Sequence, residues 1–339
     1  MASGPSPAAD PIAEAPEAAA SDRCCAFCLV PLAPGGLKRC GGCLTRVYCS
    51  PACQKADWPL HHKHWCKLLC GEEGVDWKVA AIPGKGLGLV ALRPLPALFR
   101  IAVERGYTDP RGHPRIADLM PEGGSLEEKF GLNKLGTCAP GEGDSAPIIC
   151  LRLSRVNHAC DGRCNASHTF DGTFGAGAVV LLAERDIEAG EEITFSYLPG
   201  VKAPGRILRE KWGIACGPGC SCTDPVYQEL VERAARLDGQ ILSFSRASDT
   251  ARALSAAKQL IAIEGGGLLR IPTNRRVRAR FDAFQMAISR RATLGQAGRF
   301  IAEAHELASR AYGPDSEQAK QSEAYVNNPK THLCYLYLG

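Results

Sequence analysis

The sequence predicts a mixed α+β chain in three parts: a small metal-bound finger, a strand-rich middle and an α-helical C-terminal region. Three observations predict it. Most of the 17 cysteines crowd into residues 24–66 and 216–222. Between those clusters, runs such as VAAIPGKGLGLVALR at 79–93 and GAGAVVLLAERDI at 175–187 have β-type composition interrupted by glycine turns. Beyond residue 225, apolar side chains recur at helical spacing.

The chain is long enough for two or three domains, and its composition is that of an ordinary globular protein. A net charge of +4 is too small to argue for a nucleic-acid or membrane partner. No apolar stretch approaches the roughly 18 residues that would span a bilayer. Residues 1–23 read as a disordered Ala/Pro-rich tail. Their first 22 residues lack Lys, Arg and any apolar run, so neither a secretory signal nor a presequence is expected. An odd cysteine count with pairs two residues apart points to metal thiolates in a reducing compartment, hence nucleus or cytoplasm.

Residues 24–66 form the finger. Cys25/Cys28, Cys40/Cys43, Cys49/Cys53, and His61 or His62 with Cys66 make four ligand pairs, enough for two closed tetrahedral zinc sites. Gly41-Gly42 suits the tight knuckle between two converging sulfurs. A segment this small has almost no core of its own and should fold only with metal bound. Seven thiolates and two Zn²⁺ leave about −3, which the seven Lys/Arg from Arg23 to Lys67 more than offset.

After a connector at 67–78, the turn Gly84-Lys85-Gly86-Leu87-Gly88 joins two strand-like runs. No helix pattern follows, so it is not a dinucleotide fingerprint. Alone it would be a plain hairpin. Two further stretches follow: LRLSRVNHACDGRCN at 151–165 and GEEITFSY at 190–197. A third cysteine group, Cys216, Cys220 and Cys222, closes the middle region. Helical spacing then links Leu230, Ala234, Leu237 and Ile241, then Leu254, Ala257 and Ile261, then Phe281, Phe284 and Ile288. Arg275, Arg276, Arg278 and Arg280 read as a solvated helix face.

The order of the ligand pairs, with YCS at 48–50, CQKADW at 53–58 and the closing His/Cys, resembles a MYND finger. In that family the pairs interleave. The resemblance therefore implies Cys25, Cys28, Cys49 and Cys53 at one site, and Cys40, Cys43, His62 and Cys66 at the other. Cys24 and His61 stand beside Cys25 and His62 as alternatives. MYND fingers bind protein partners, often proline-rich ones; Tyr48, Trp58 and Trp65 either line such a groove or pack internally.

The glycine turn, the Asn-His-x-Cys stretch and the Gly-Glu-Glu…Tyr stretch are similar, in order, to the signatures of SET domains. The whole resembles the SET-and-MYND protein-lysine methyltransferases. That implies domains at 24–66 (finger), 79–200 (SET, with its threaded pseudoknot), 201–224 (post-SET zinc segment) and 225–339 (helical, tetratricopeptide-like). It also implies S-adenosylmethionine as cofactor, contacted by Lys85, Gly86, Gly88, Asn157 and His158, with Tyr197 as the essential tyrosine. Trp212 and Ile214 stand where the family usually has a channel tyrosine and phenylalanine, which changes the channel shape. The third zinc would be held by Cys160, Cys216, Cys220 and Cys222, with Cys164 a rival to Cys160. The post-SET spacing is three residues then one, where one then two is usual. Cys24, Cys70, Cys138, Cys150, Cys164 and Cys334 are then expected as small buried hydrophobes.

Methyl transfer to an amine needs collinear approach and a neutral acceptor, although free lysine has a pKa of about 10.4. A desolvating channel supplies the second requirement, and no Ser, His or Cys nucleophile is needed. The expected protein is therefore a monomeric lysine methyltransferase with a partner-binding finger. The alternatives are a non-catalytic adaptor, against which intact Asn157, His158, Glu191, Glu192 and Tyr197 argue, and a nucleic-acid binder, for which no basic footprint exists. The short helical region predicts an open substrate groove. Because the finger lies wholly ahead of the glycine turn, it is expected to fold as a separate N-terminal module; in animal members of the family it interrupts the SET domain.

Overall fold

The computed structural model describes residues 24–32, 36–60, 62–64, 66, 70–135, 147–170, 178–265, 269, 271–314 and 316–338. The predicted tail, His61, Trp65 and Cys138 lie outside them.

In the finger, β1 (Lys38–Arg39) pairs antiparallel with β2 (Val47–Tyr48), and α1 (Pro51–Leu60) follows. Asp57 of α1 is fully buried. It accepts from Arg46 Nε at 2.9 Å and from the Tyr48 hydroxyl at 2.7 Å, so one carboxylate ties the helix to the ribbon. Tyr48 is therefore internal packing and not part of a binding groove. Trp58, at 43% exposed, keeps that possibility.

The finger packs against the middle region. Leu29 leaves it to pack with Ile116, Leu119, Ile149 and Leu151 of the middle region, and Arg115 donates to the Leu29 carbonyl. A core built around metal ligands is too small to bury Leu29 itself, so a neighbouring apolar surface does. The supposed connector is likewise built in. The Gly71 amide bonds the Arg100 carbonyl at 2.8 Å, and Trp77 Nε1 bonds Ile101 O at 2.8 Å.

The middle region is two small sheets. β3 (Trp77–Ile82), β4 (Gly86–Ala91), β6 (Asn157–His158) and β9 (Glu192–Phe195) form one, in the order β3-β4-β9-β6. β5 (Arg100–Arg105), β7 (Ala166–Phe170) and β8 (Ala178–Ala183) form the other, in the order β5-β8-β7. In the first sheet β6 runs parallel to β9, pairing Asn157 with Thr194 and His158 with Phe195. Every residue of β8 is buried. Alternate side chains serve opposite faces: Val179, Leu181 and Ala183 enter the main core, while Leu182 meets Ala308, Ala311 and Tyr312 of the helical region. Two short helices, α2 (Leu126–Asn133) and α3 (Gly205–Trp212), flank this body. Ser125 and Glu128 close a capping box on α2, which fixes its start.

The C-terminal region packs α4 (Pro225–Arg246), α5 (Thr250–Gly265), α6 (Thr273–Ile288), α7 (Leu294–Tyr312) and α8 (Glu317–Asn327), each against the next. Phe284, Ile288 and alanines 283, 287 and 304 form its centre. The arginine run is not a solvated face. Arg280 pairs with Glu264 and with Glu303 (3.1 Å), Arg276 lies 3.8 Å from Glu264, and Arg278 pairs with Asp238 at 2.5 Å. Because α6 is flanked by α5 and α7, its charges meet carboxylates on neighbouring helices, a circumstance invisible to local spacing. Glu184 anchors the bundle to the sheets, accepting from the Thr273 amide at 2.9 Å and its hydroxyl at 2.7 Å. A cleft of about 590 Å³ separates the two around Ser196, His168 and Arg275. No helix among the described residues is long and apolar enough to cross a membrane.

Leu29→Ala should destabilise the protein by about 2–5 kcal/mol, read as a lower midpoint in denaturant unfolding of the full chain. A neutral result would mean that the finger's docking carries no stability.

Candidate active site and metal centres

Three four-ligand groups converge among the described residues: Cys25, Cys28, Cys49 and Cys53; Cys40, Cys43, His62 and Cys66; and Cys160, Cys216, Cys220 and Cys222. Within each, all ligand atoms lie within 4.8 Å of one another. Tetrahedral zinc with Zn–S near 2.3 Å would hold neighbouring sulfurs about 3.8 Å apart. The Cys28–Cys49, Cys49–Cys53, Cys40–Cys66 and Cys160–Cys216 separations are 3.6, 3.4, 3.6 and 3.5 Å, and every described cysteine is a free thiol. The donor sets therefore fit zinc.

Details of the finger support the same reading. His62 turns Nε2 toward Cys43 Sγ at 3.4 Å. Burial, with the Arg46 cation beside it, pushes its pKa down to about 4, so the imidazole stays neutral with a lone pair available to a metal. Gly42 is required here, since a Cβ would lie 2.9 Å from Cys66 Sγ. In the third group the structure brings Cys160 to the site; Cys164 lines the cleft near His168. Of the remaining described cysteines Cys150 is buried, whereas Cys24, Cys70, Cys164 and Cys334 are half-buried, a partial departure from expectation. Burial pushes the Cys70 thiol up to about 12.

The second constellation is organised by Glu192, a motif residue outside the expected cofactor contacts. Glu192 accepts from Asn157 Nδ2 at 2.8 Å and pairs with Lys85 Nζ at 2.6 Å. Asn157 also donates to the Leu87 carbonyl at 3.2 Å. Gly88 is dictated by this arrangement, because a Cβ there would sit 2.7 Å from Asn157 Nδ2 and 2.6 Å from Ile82. Gly84 and Gly86 have φ of +71° and +78°, and a Cβ on either meets nothing within 4 Å. The turn thus presents bare backbone to open space.

On the other side of β6, His158 accepts the Tyr197 amide at Nδ1 (3.1 Å) and turns Nε2 to Cys160 Sγ at 3.2 Å. Both nitrogens are committed, so any further contact by His158 is through its ring. Burial, and secondarily Lys85, push its pKa down to about 4. The Tyr197 hydroxyl donates to the Val156 carbonyl at 2.9 Å. Burial pushes that phenol up to about 12, with Glu192 adding to the effect. Its ring centroid lies 5.1 Å from that of Trp212, whose Nε1 donates to the Leu132 carbonyl at 3.2 Å. Ile214 is half-buried in the same cluster as Tyr197 and Trp212. Lys85, Gly88, Asn157, His158, Tyr197, Trp212 and Ile214 thus form a continuous run of contacts around the β6–β9 pairing, with Gly86 at the edge of the turn.

A half-buried carboxylate holds the loop that leads into this site. Glu104 accepts the Leu151, Arg152 and Leu153 amides at 2.8, 3.0 and 3.0 Å, and Arg152 pairs with Glu73 at 2.6 Å. Nothing in the local sequence marks Glu104 for this role.

Residues 25–66 match the family model of the MYND finger, and residues 86–198 that of the SET domain. The histone-lysine N-methyltransferase set5 of Schizosaccharomyces pombe is 26% identical over 280 residues, covering 76% of this chain and 85% of that protein. The same yeast's SET domain and MYND-type zinc finger protein 6 is 26% identical over 53% of this chain and 39% of its own length. The human histone-lysine N-methyltransferase SMYD3 is 26% identical over 48% of this chain and 42% of its own. The chain therefore spans most of the first relative and about two-fifths of the other two.

Metal analysis of the purified protein should find three zinc ions per chain. Cys160→Ser should lower that count by one and Cys164→Ser should not; the reverse would exchange the two ligands.

Proposed function

Since this chain belongs to the proteins that join a MYND finger to a SET domain, we propose that it is a protein-lysine N-methyltransferase dependent on S-adenosylmethionine. One observation carries this reading. The glycine turn, Asn157, Glu192 and Tyr197, far apart in sequence, meet at the parallel β6–β9 pairing. The bare backbone of Gly84–Gly86 and the polar edge of Lys85 and Asn157 fit a zwitterionic, nucleoside-bearing cofactor. When bound, that cofactor supplies a methyl group on a positively charged sulfur.

The chain's own residues do the rest by position and desolvation. Tyr197 is no base, because its proton is held on the phenol by burial and committed to Val156. Its oxygen is left as an acceptor, able to orient an amine by one N–H and so to aim the nitrogen lone pair. Trp212 has its one polar atom occupied by Leu132, and the Ile214 side chain has none, so this wall offers an incoming ammonium no hydrogen-bond acceptor to replace its water. Desolvation then lowers the acceptor's pKa toward the neutral form that transfer requires. His158 acts indirectly, linking the Tyr197 amide to Cys160 and hence the tyrosine to the third zinc site.

The substrate class is a protein lysine. The finger would hold proline-rich partner segments through exposed side chains such as Trp58. The protein would work as a monomer in nucleus or cytoplasm, without binding DNA directly.

Calorimetry should detect S-adenosylmethionine and its demethylated product binding the zinc-loaded chain; no binding would leave the adaptor reading in its place. Tyr197→Phe should bind cofactor normally yet turn over a lysine-peptide pool about a hundredfold more slowly. Equal turnover would remove Tyr197 from the mechanism.

A further inference from the structure

Two lysines without ion-pair partners among the described residues stand beside the wall that Trp212 forms. Lys211, in the last turn of α3, places Nζ 4.4 Å from the centroid of the Trp212 ring. The bond from Trp212 Nε1 to Leu132 O draws in the end of α2, where Lys134 is the C-terminal cap. Both lysines are exposed, and among the described residues neither has an ion-pair partner. Partial burial and the Lys134 charge hold Lys211 below the usual lysine range. Arg206 of the same helix pairs with Glu210, and Lys202 with Glu232 at 2.7 Å, whereas Arg209, like the two lysines, is exposed without an ion pair among the described residues. Two like charges beside a tyrosine–tryptophan pair, with no carboxylate recruited to them, are a disposition for a ligand to complete.

We propose that Lys134 and Lys211 select substrates in which acidic residues flank the acceptor lysine. This rests on the methyltransferase reading for its placement of the channel mouth beside Tyr197 and Trp212. An acidic flank neutralises the pair, whereas a basic flank adds a third like charge. The acceptor itself, being cationic in solution, gains from a neighbouring carboxylate during approach and loses it on entering the apolar channel. The bland alternative is that each lysine only complements the negative end of its own helix. That role would affect stability and leave substrate preference untouched.

The test uses the full zinc-loaded chain and three labelled peptides sharing one lysine, flanked by Asp/Glu, by Gln or by Arg. Fluorescence anisotropy measures binding, and methyl incorporation measures turnover. The acidic peptide should bind about fivefold to tenfold more tightly than the basic one. That preference should fade at about 1 M salt, where the screening length is about 3 Å. Lys134→Gln and Lys211→Gln together should abolish the preference, and Lys211→Arg should keep it. An absent preference in the wild type, or one surviving in the double variant, would overturn the proposal. Preferential binding lost in the double variant, with no peptide methylated by either protein, would uphold charge recognition while removing the methyltransferase reading.

Discussion

The short parallel pairing of β6 with β9 is the constraint on which the rest of the site depends. Two residues on each strand are too few to hold by ladder hydrogen bonds alone. Side chains from both stretches lock the crossing. Asn165 accepts the Thr194 amide at 2.8 Å and donates to the Glu192 carbonyl at 2.8 Å and to Glu191 at 3.0 Å. Glu191 is held in turn by Arg185, and Glu192 by Asn157 and Lys85. Asn157, His158 and Asn165 of the first motif therefore find partners in Glu191, Glu192, Thr194 and Tyr197 of the second. The chemistry proposed for Tyr197 inherits its geometry from this mutual bracing.

Metal centres extend the bracing outward. The third ligand group joins Cys160, immediately after β6, to Cys216, Cys220 and Cys222, after α3. That closure positions α3, and with it Trp212, over Tyr197. His158 connects the two systems, since the same imidazole touches the Tyr197 amide and Cys160 Sγ. Loss of metal at this centre would thus reach the tyrosine through one side chain. The finger's two centres make a more local contribution, shaping a surface whose Leu29 is buried by its neighbour.

The helical bundle is attached by complementary burial. Strand β8 has no exposed face because the main core takes one side of it, while on the other Leu182 meets the bundle and Ala178 and Val180 pack with Val103 and Cys70. Glu184, at the end of that strand, fastens α6 through two hydrogen bonds. The bundle's internal charges, with Arg280 between Glu264 and Glu303, are directed inward between helices. Lys134 and Lys211, which stand beside Trp212, come by contrast from two elements far apart in sequence and are exposed.

Much of the site was legible in the sequence because metal ligation and tight turns need particular residues at particular local spacings. Cysteine pairs, the glycine turn with its positive φ angles, and the helical period of the last third are all local signals. The pairing of ligands across the finger, and the choice of Cys160 over Cys164, rested on resemblance, and the convergence of each group is visible only in three dimensions. What tertiary structure alone decided has one character: a side chain meeting a distant partner. Glu192 as a hub, Glu104 beneath the 151–153 amides, Tyr48 on Asp57 and the paired arginines of α6 are all of this kind. A carboxylate's sequence neighbours do not disclose which amide or cation will satisfy it, because burial brings that partner from another part of the chain.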